Sequence, residues 1–575
     1  MSNRDHLLSS FKAGNFLEAL CGCSRADHDD LPSLVSEVVA LHNEGLVDLV
    51  AAFESLENDA QAGPDYFLTR NVFERALPNL EAAVPQVMRC VLGLYRRAGQ
   101  DVAAGWIFES YIDYCSKQPA RAREALATIE AEPDLYADLL SVTLLAGSRF
   151  DNPSYVSHAI RLSEDKNMEL RRRAVFALGR LSWPEGVQVS DSALVALERS
   201  ATVENDDEIF ASVVKSAFAL LRQNEAQEAR VVSLIESALR KGDDHTLHAA
   251  SEVFGFHTAK LRTTLLNLLL LHLHRVKPTN IGTLNNVDYG IAHLLSKGGV
   301  EEAIRFLEDL LVAHPLAITM KTFDNSAREI AKSKDLTSKT ATRWFARGRR
   351  PLCQAICDII DLDRLDDLPL EIDASELEDR SAARLLLVAR RAVGYLFPRQ
   401  TSMVSILVSL MRIADDDNVL TQLGELLFDP LLLNFTGKAR DYLARDPGQE
   451  PRRVAAVIEK VLEDIEKYLK DLRSVGNLAA LHPGERQQEI YHRHLSSRMA
   501  ETYKAAEAAS VFMSLVSKSL ILYGRKSVMY RYDSAGQPHR TELLLQSHSV
   551  EVPIPRMHEI DPFGLDFQLR IFRSL

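Results

Sequence analysis

A helix-length pattern that returns about every forty residues constrains this chain more than any other feature of its sequence. The pattern is clearest in Asn167–Leu181, where the apolar residue Leu170 opens it. Equivalent residues follow at spacings of 39, 38 and 40, at Ile209, Leu247 and Val287. Small or apolar residues recur four and eight places after each of them, which places all three positions on one face of an α-helix. The sequence therefore predicts a helix that is repeated at a nearly constant interval.

A second helix precedes each of these helices, and an acidic turn joins most of the pairs. Acidic residues stand just before three of the four openings, at Asp165, Asp206 with Asp207, and Asp243 with Asp244. Aspartate in such a turn favours the start of a helix, because its carboxylate accepts hydrogen bonds from backbone N–H groups that have no partner in the helix. The preceding apolar helices are predicted over Pro153–Leu162, Ser192–Ser200, Ala229–Arg240 and Leu261–His274.

Two helices in a unit of about forty residues are typical of HEAT and armadillo solenoids. The segment Asp165–Leu181 resembles the second helix of a HEAT repeat, in the positions of Asp165, Leu170-Arg171, Ala174 and Ala177-Leu178-Gly179. The resemblance covers residues 152–332 or so, and it implies an α–α superhelix. It leaves the function open, because HEAT proteins range from scaffolds to DNA-binding enzymes.

The composition agrees with a helical protein that lies in the cytoplasm. Glycine is scarce, at 26 of 575 residues, and charged residues make up 26%. The six cysteines form no disulfide framework, which indicates a reducing compartment. The most apolar run, Leu261–Leu273, is shorter than the roughly 20 residues that a membrane-spanning helix needs, so we expect no membrane insertion.

The period of the apolar residues changes from 3.6 to 2 near the C-terminus. We expect one long helix over Glu485–Leu522, followed by a small antiparallel β module. Its predicted strands are Val528–Tyr532, Thr541–Gln546, Ser549–Ile554 and Leu565–Phe572. The expected fold is thus mostly α, a HEAT-like solenoid with a small C-terminal antiparallel β module.

These patterns divide the chain into four regions. Residues 1–150 form an irregular helical region or cap, and residues 151–335 hold the HEAT-like repeats. Residues 336–480 carry further helical repeats with a basic and then an acidic segment. Residues 481–575 hold the long helix and the β module.

The basic segment 328–350 is the candidate site for nucleic acid. It carries eight basic residues against two acidic ones, although the whole chain has a net charge of −13. Cations at helical spacing beside an aromatic ring can follow a phosphate backbone and stack on bases. The candidate residues are Lys339, Arg343, Trp344, Arg347, Arg349 and Arg350. Two alternatives stay open: pairing with the acidic segment 358–379 or with a protein partner, and a solvated surface.

Standard catalytic motifs are absent from the sequence, so we expect no cofactor and no metal. Cys353 and Cys357 share a helix face, but two thiols alone do not make up the four ligands that zinc takes. A C-terminal enzyme site at His548, Glu551 and His558 is a further alternative, because such residues can hold a metal or transfer protons.

We therefore predict a non-enzymatic scaffold or adaptor that holds protein partners in a multi-subunit assembly. The partners are expected on the solenoid surface and on the β module, at its edge strand and at Tyr530, Phe563 and Phe567. By analogy alone, HEAT proteins of this kind occur in bacterial antiphage defence. The alternatives are a nucleic-acid-binding HEAT protein that uses the segment 328–350, and an enzyme with its site in the C-terminal module.

Overall fold

The computed structural model is mostly α-helical, which confirms that part of the predicted fold class. It describes residues 3–26, 31–54, 64–98, 105–181, 191–223, 227–362, 368–445, 450–475, 484–509, 518–523, 526–532, 537–544 and 561–575. The helices are rich in Ala, Leu, Arg and Glu, which lose little side-chain freedom in a helix.

The helices up to residue 313 are α1 (Asn3–Ala13), α2 (Phe16–Ala26), α3 (Leu31–Asn43), α4 (Leu49–Glu54), α5 (Pro64–Ala76), α6 (Val84–Ala98), α7 (Trp106–Cys115), α8 (Pro119–Ala131), α9 (Pro133–Tyr136), α10 (Leu140–Ser148), α11 (Asn152–Leu162), α12 (Met168–Arg180), α13 (Asp191–Val203), α14 (Asp207–Gln223), α15 (Glu228–Lys241), α16 (Asp244–His257), α17 (Thr263–Leu273), α18 (Ile281–Ser296) and α19 (Val300–Ala313). The later helices are α20 (Asp324–Ala331), α21 (Lys334–Arg347), α22 (Arg350–Leu362), α23 (Ala382–Leu396), α24 (Gln400–Ile413), α25 (Asp417–Leu426), α26 (Lys438–Ala444), α27 (Arg452–Val475), α28 (Glu485–Ala509) and α29 (Pro562–Ser574). Short 3-10 turns lie at Leu77–Asn79, Ala137–Leu139, Thr258–Lys260 and Ala374–Glu376, and a π-helical segment at Leu427–Leu432.

The contacts divide the chain into two compact units, Met1–Phe306 and Leu307–Leu575. In the first unit, α12 packs on α14, α14 on α16, and α16 on α18. The preceding helices form a second layer, in which α11 packs on α13, α13 on α15, and α15 on α17. Each helix pair thus lies beside the pair one unit later in sequence. The four-region division made from the sequence stays a prediction.

The predicted register of these helices is confirmed by their burial. Leu170, Ile209 and Leu247 are each at most 2% exposed, and the predicted positions that follow them are buried too, at Ala174, Leu178 and Val213. Gly179 shows how closely neighbouring helices approach: a Cβ built there would lie 2.3 Å from the Cα of Ser216. The sequence pattern therefore marks the face on which α12 and α14 meet.

The turns that precede these helices cap them partly from within the same helix pair and partly from the neighbouring pair. Asn167 caps α12, because its side chain accepts hydrogen bonds from the N–H groups of Glu169 at 2.9 Å and Leu170 at 3.2 Å. The side chain of Asp243 makes no such cap for α16. Asp207 of the preceding pair takes that role, accepting from the N–H of Asp243 at 2.6 Å and of His245 at 2.7 Å. The start of a helix in one pair is therefore capped by a residue of the preceding helix pair.

The C-terminal region departs from the sequence prediction. The described part of α28 ends at Ala509, and residues 518–522, which were predicted to be helical, belong to a strand. Three short strands pair in antiparallel order: β1 (Lys518–Tyr523), β2 (Lys526–Tyr532) and β3 (Pro538–Leu544). The predicted strand Ser549–Ile554 lies outside the described residues.

The predicted last strand, Leu565–Phe572, is wrong, because it lies inside the helix α29. Its apolar residues alternate, but the same residues also recur every four places, on two faces of a helix. Asp561 and Pro562 decide between the two, since the Asp561 carboxylate accepts from the N–H of Gly564 at 2.9 Å and proline suits the first turn.

Leu170→Ala should lower the free energy of unfolding by about 2–5 kcal/mol, because it removes a buried side chain between α12 and its neighbours and leaves a cavity. Met168→Ala is the control: Met168 is on the same helix and exposed, so its change should stay within about 0.5 kcal/mol. Urea unfolding followed by circular dichroism measures both. Equal midpoints for the two variants would contradict the register.

Candidate interfaces for nucleic acid and protein

Three of the predicted basic residues, Lys339, Arg343 and Arg347, form a stripe on α21, whereas Arg349 lies in the turn after it and Arg350 begins α22. Ser333 caps the helix by accepting from the N–H of Leu336 at 3.2 Å. Gly348 ends it in the left-handed conformation, with φ 66°. A side chain at Gly348 would collide with the guanidinium of Arg391, 2.0 Å from a built Cβ, so the turn also leaves room for that arginine. These two caps fix where α21 begins and ends.

A buried carboxylate of α19 holds the centre of the stripe. The side chain of Glu308 is only 2% exposed. Arg343 approaches it with Nε 2.8 Å from Oε1 and Nη2 3.0 Å from Oε2. The indole Nε1–H of Trp344 donates to Oε1 at 2.8 Å, and Arg347 Nη1 donates to Oε2 at 2.5 Å. Both carboxylate oxygens are thus bonded, as a buried charge requires.

Part of the acidic segment, residues 370–376, also lies along this helix. Lys334 pairs with Glu371 at 2.8 Å, and Lys339 pairs with Glu376 at 3.3 Å. Arg343 is 4.0 Å from Glu376 as well. One of the alternatives to nucleic-acid binding is that the basic segment pairs with the acidic segment. These ion pairs show that such pairing occurs within the chain.

The backbone of the acidic segment is bonded on both sides. The N–H groups of Glu371 and Asp373 donate to the hydroxyls of Ser338 and Thr342 on α21, at 3.1 and 3.0 Å. The alternate N–H groups, of residues 370 and 372, donate to hydroxyls of α24 at 2.9 Å each, on residues 405 and 409. Successive N–H groups of an extended chain point to opposite sides. Hydroxyls four residues apart on each helix therefore hold this segment between α21 and α24.

The six candidate residues for nucleic acid do not share one environment. Trp344 is fully buried, so its ring has no open face for a base. Arg343 is mostly buried against Glu308, whereas Lys339 and Arg347 are about half exposed and paired. Arg349 and Arg350 are exposed, and neither pairs with a carboxylate among the described residues. The structure thus brings the six together but leaves two of them open to a ligand. Whether they bind nucleic acid stays a prediction.

The candidate partner residues Phe563 and Phe567 lie on α29. This helix packs against α23, and its residues Leu565 and Leu569 are buried. On the opposite face Phe563, Phe567 and Ile571 are 57%, 67% and 43% exposed. Their spacing of four residues aligns them in one row, which we call the α29 stripe. It is apolar, and two of its three side chains are aromatic.

Two arginines fix α29 in place. Arg573 Nε donates to the carbonyl of Gly394 on α23 at 2.7 Å. Arg391 Nη2 donates to the carbonyl of Leu575 at 2.7 Å, while its Nη1 donates to the carbonyls of Phe345 and Ala346 at 2.8 and 3.0 Å. Arg391 thus joins the ends of α21 and α29. The stripe therefore sits on a helix that is held on its other face.

A groove of about 370 Å³ runs beside the stripe. Residues of α23, α25 and α29 line it, among them Leu386, Arg390, Leu426, Ile571, Phe572 and Leu575. Ile571 belongs both to the groove and to the stripe, so the two form one surface. Phe563 and Phe567 are predicted from the sequence as partner residues and Ile571 is not, because the predicted strand conceals the four-residue spacing.

Other predicted sites receive little support. The side chain of Tyr530 and the residues His548, Glu551 and His558 lie outside the described part of the chain. Burial raises the pKa of both the Cys353 and the Cys357 thiol to about 12, so neither is a ready thiolate ligand. Within the described residues, no three metal-ligating side chains come together.

Membrane insertion is likewise unsupported in the part of the chain that the structure covers. There, no helix combines the length and the apolar character needed to cross a bilayer.

Comparisons with known proteins add no family. No protein-family model matches the chain, and the search of curated proteins returns no match. Among solved structures, the crystal structure of an engineered protein aligns with 81% of this chain and 99% of its own, at 14% identity. The TM-score of this alignment is 0.18.

Arg343→Ala should destabilise the second unit by about 3–5 kcal/mol, because it leaves the buried Glu308 carboxylate short of a partner. Adding Glu308→Gln should recover part of the loss, since a neutral amide carries no unpaired charge. Arg350→Ala, at an exposed position, should change the free energy by no more than about 0.5 kcal/mol. Urea unfolding measures these variants and Glu308→Gln alone, and additive effects of the Arg343 and Glu308 changes would rule out the coupling.

Proposed function

We propose that this protein is a non-enzymatic scaffold or adaptor, built from HEAT-like repeats, that holds a protein partner on the α29 stripe. The observation that carries the proposal is the row of exposed apolar side chains at Phe563, Phe567 and Ile571. Contiguous apolar surface of this kind is typical of a protein–protein interaction site. Aromatic side chains are enriched among the residues that contribute most to binding.

The contacts that fix α29 in place favour its exposed face as a binding surface. Buried Leu565 and Leu569 and the bonds of Arg391 and Arg573 fix the opposite face of the helix. A stripe that is already ordered loses little conformational entropy when a partner binds. The adjoining groove gives a partner side chain a place to enter next to Ile571. The surface is therefore suited to an amphipathic helix laid along the stripe.

The repeat interpretation is supported by the reach of the side-chain bonds. Arg172 bonds Asp206 34 residues away, Thr246 bonds Asp207 at 39 residues, and Arg343 bonds Glu308 at 35 residues. Each of these separations is close to the length of one repeat, about forty residues. Side-chain bonds between neighbouring repeats are expected in a stacked-repeat protein. Repeat proteins present long surfaces to partners, which agrees with a scaffold.

The double change Phe563→Ser and Phe567→Ser should abolish capture of the partner. Removing two exposed rings takes away the central apolar contact but no buried packing, so the helix content should be unchanged. Tagged wild-type and variant proteins are compared by affinity capture from the source cells, mass spectrometry and, for the protein identified, binding titration.

Phe256→Ser is the matched control for that experiment. Phe256 has the same side chain and nearly the same exposure, 65%, but belongs to α16 of the first unit. It should retain the partner at wild-type affinity. A partner that still binds the double variant, or that both variants lose equally, would contradict docking on the α29 stripe.

The exposed Arg349 and Arg350 favour nucleic-acid binding as a second candidate function. Their guanidinium groups lack carboxylate partners among the described residues, so they remain available to phosphates.

Changing both to Ala should weaken a gel shift of DNA or RNA at low salt. The slope of log affinity against log salt should fall by about one for each phosphate contact removed. Lys166→Ala with Lys297→Ala removes equal charge from exposed positions elsewhere and serves as the control. The absence of any wild-type shift would remove this candidate.

A further inference from the structure

A pocket of about 430 Å³ in the first unit has no role in the proposed function. It lies where the end of α14 meets the starts of α15 and α17 and the 3-10 turn after α16. Its lining residues are Phe218, Leu221, Arg222, Glu228, Lys260, Arg262 and Leu265. The pocket thus combines an apolar wall with a charged rim.

The rim carries more positive than negative charge. Arg262 pairs with Glu228, so these two charges offset each other. Arg222 and Lys260 are exposed, and neither has a carboxylate partner in the described ranges. Among the residues that the structure describes, two positive charges therefore remain uncompensated at the mouth of the pocket.

Both cations line this one pocket, and a histidine lies beside it. The ring of His257 packs on the pocket residue Phe218, with centroids 5.0 Å apart. Burial lowers the pKa of His257, and the positive charges of Arg222 and Lys260 lower it further. Both cations therefore act on one imidazole, from the last turn of α14 and from the turn after α16. That imidazole is neutral near pH 7 and adds no charge of its own.

We infer that this pocket binds a small phosphate monoester, with its phosphate between Arg222 and Lys260 and its organic part against the apolar wall. A phosphate monoester carries about −1.5 to −2 at pH 7, which matches two positive charges. Charge-assisted hydrogen bonds from arginine and lysine to phosphate oxygens are among the stronger polar contacts. The volume exceeds what inorganic phosphate would fill, and Phe218, Leu221 and Leu265 offer contact to a ring or a short chain.

Calorimetric titration of the full chain with phenyl phosphate tests the inference. Phenyl phosphate should bind more tightly than inorganic phosphate, which lacks the apolar contact, and phenol should bind more weakly than either. The double change Arg222→Gln and Lys260→Gln should lower the affinity for phenyl phosphate by about tenfold or more, because the charged hydrogen bonds are lost. Binding should also weaken as salt is raised.

Lys166→Gln with Lys297→Gln is the charge-matched control, since both residues are exposed on the same unit and away from the pocket. It should leave the affinity unchanged. Three results would overturn the inference: no binding of phenyl phosphate, equal loss in both double variants, or phenol binding as tightly as phenyl phosphate. Circular dichroism of each variant shows that the helices are retained, so a loss of binding is not a loss of folding.

Discussion

Hydrogen bonds that cross from one helix pair to the next hold the first unit in register. Asp207 accepts the backbone N–H groups at the start of α16 and also the hydroxyl of Thr246, at 2.6 Å. Without them, the N–H groups at the start of α16 would lack a capping acceptor, because the side chain of Asp243 makes no cap there. The contact at Gly179 acts in the same direction, because only a residue without a side chain lets α12 and α14 approach so closely. Each pair is therefore completed by its neighbour.

The second unit uses charge for the same purpose. Glu308 lies one repeat length before Arg343 and Trp344, and it binds both where water is excluded. A buried carboxylate is costly unless its oxygens are bonded, so these side chains are committed to the fold. The acidic segment engages a further part of the stripe along α21. The charge of a sequence segment is therefore a poor guide to the charge that it presents to a partner.

The two faces of the C-terminal helix α29 differ in how they are held. The inner face of α29 is fixed by leucines and by Arg391, which bonds the carbonyls of Phe345, Ala346 and Leu575. Its outer face keeps aromatic rings in solvent, where they gain nothing from packing within the chain. This contrast between a held inner face and an open outer face favours docking of a partner protein there.

The sequence by itself determined the repeated helix and its buried face, since Leu170, Ile209 and Leu247 occupy core positions as their spacing requires. Local periodicity reports these features because a helix and its apolar face are set within a few residues. Only the tertiary structure decided which arginines are used internally, because Glu308 is distant in sequence from Arg343. For Leu565–Phe572, alternation and four-residue spacing coincide, so periodicity alone left strand and helix open. The Asp561 cap and Pro562 start a helix there locally, and only the tertiary structure shows that this helix packs on α23.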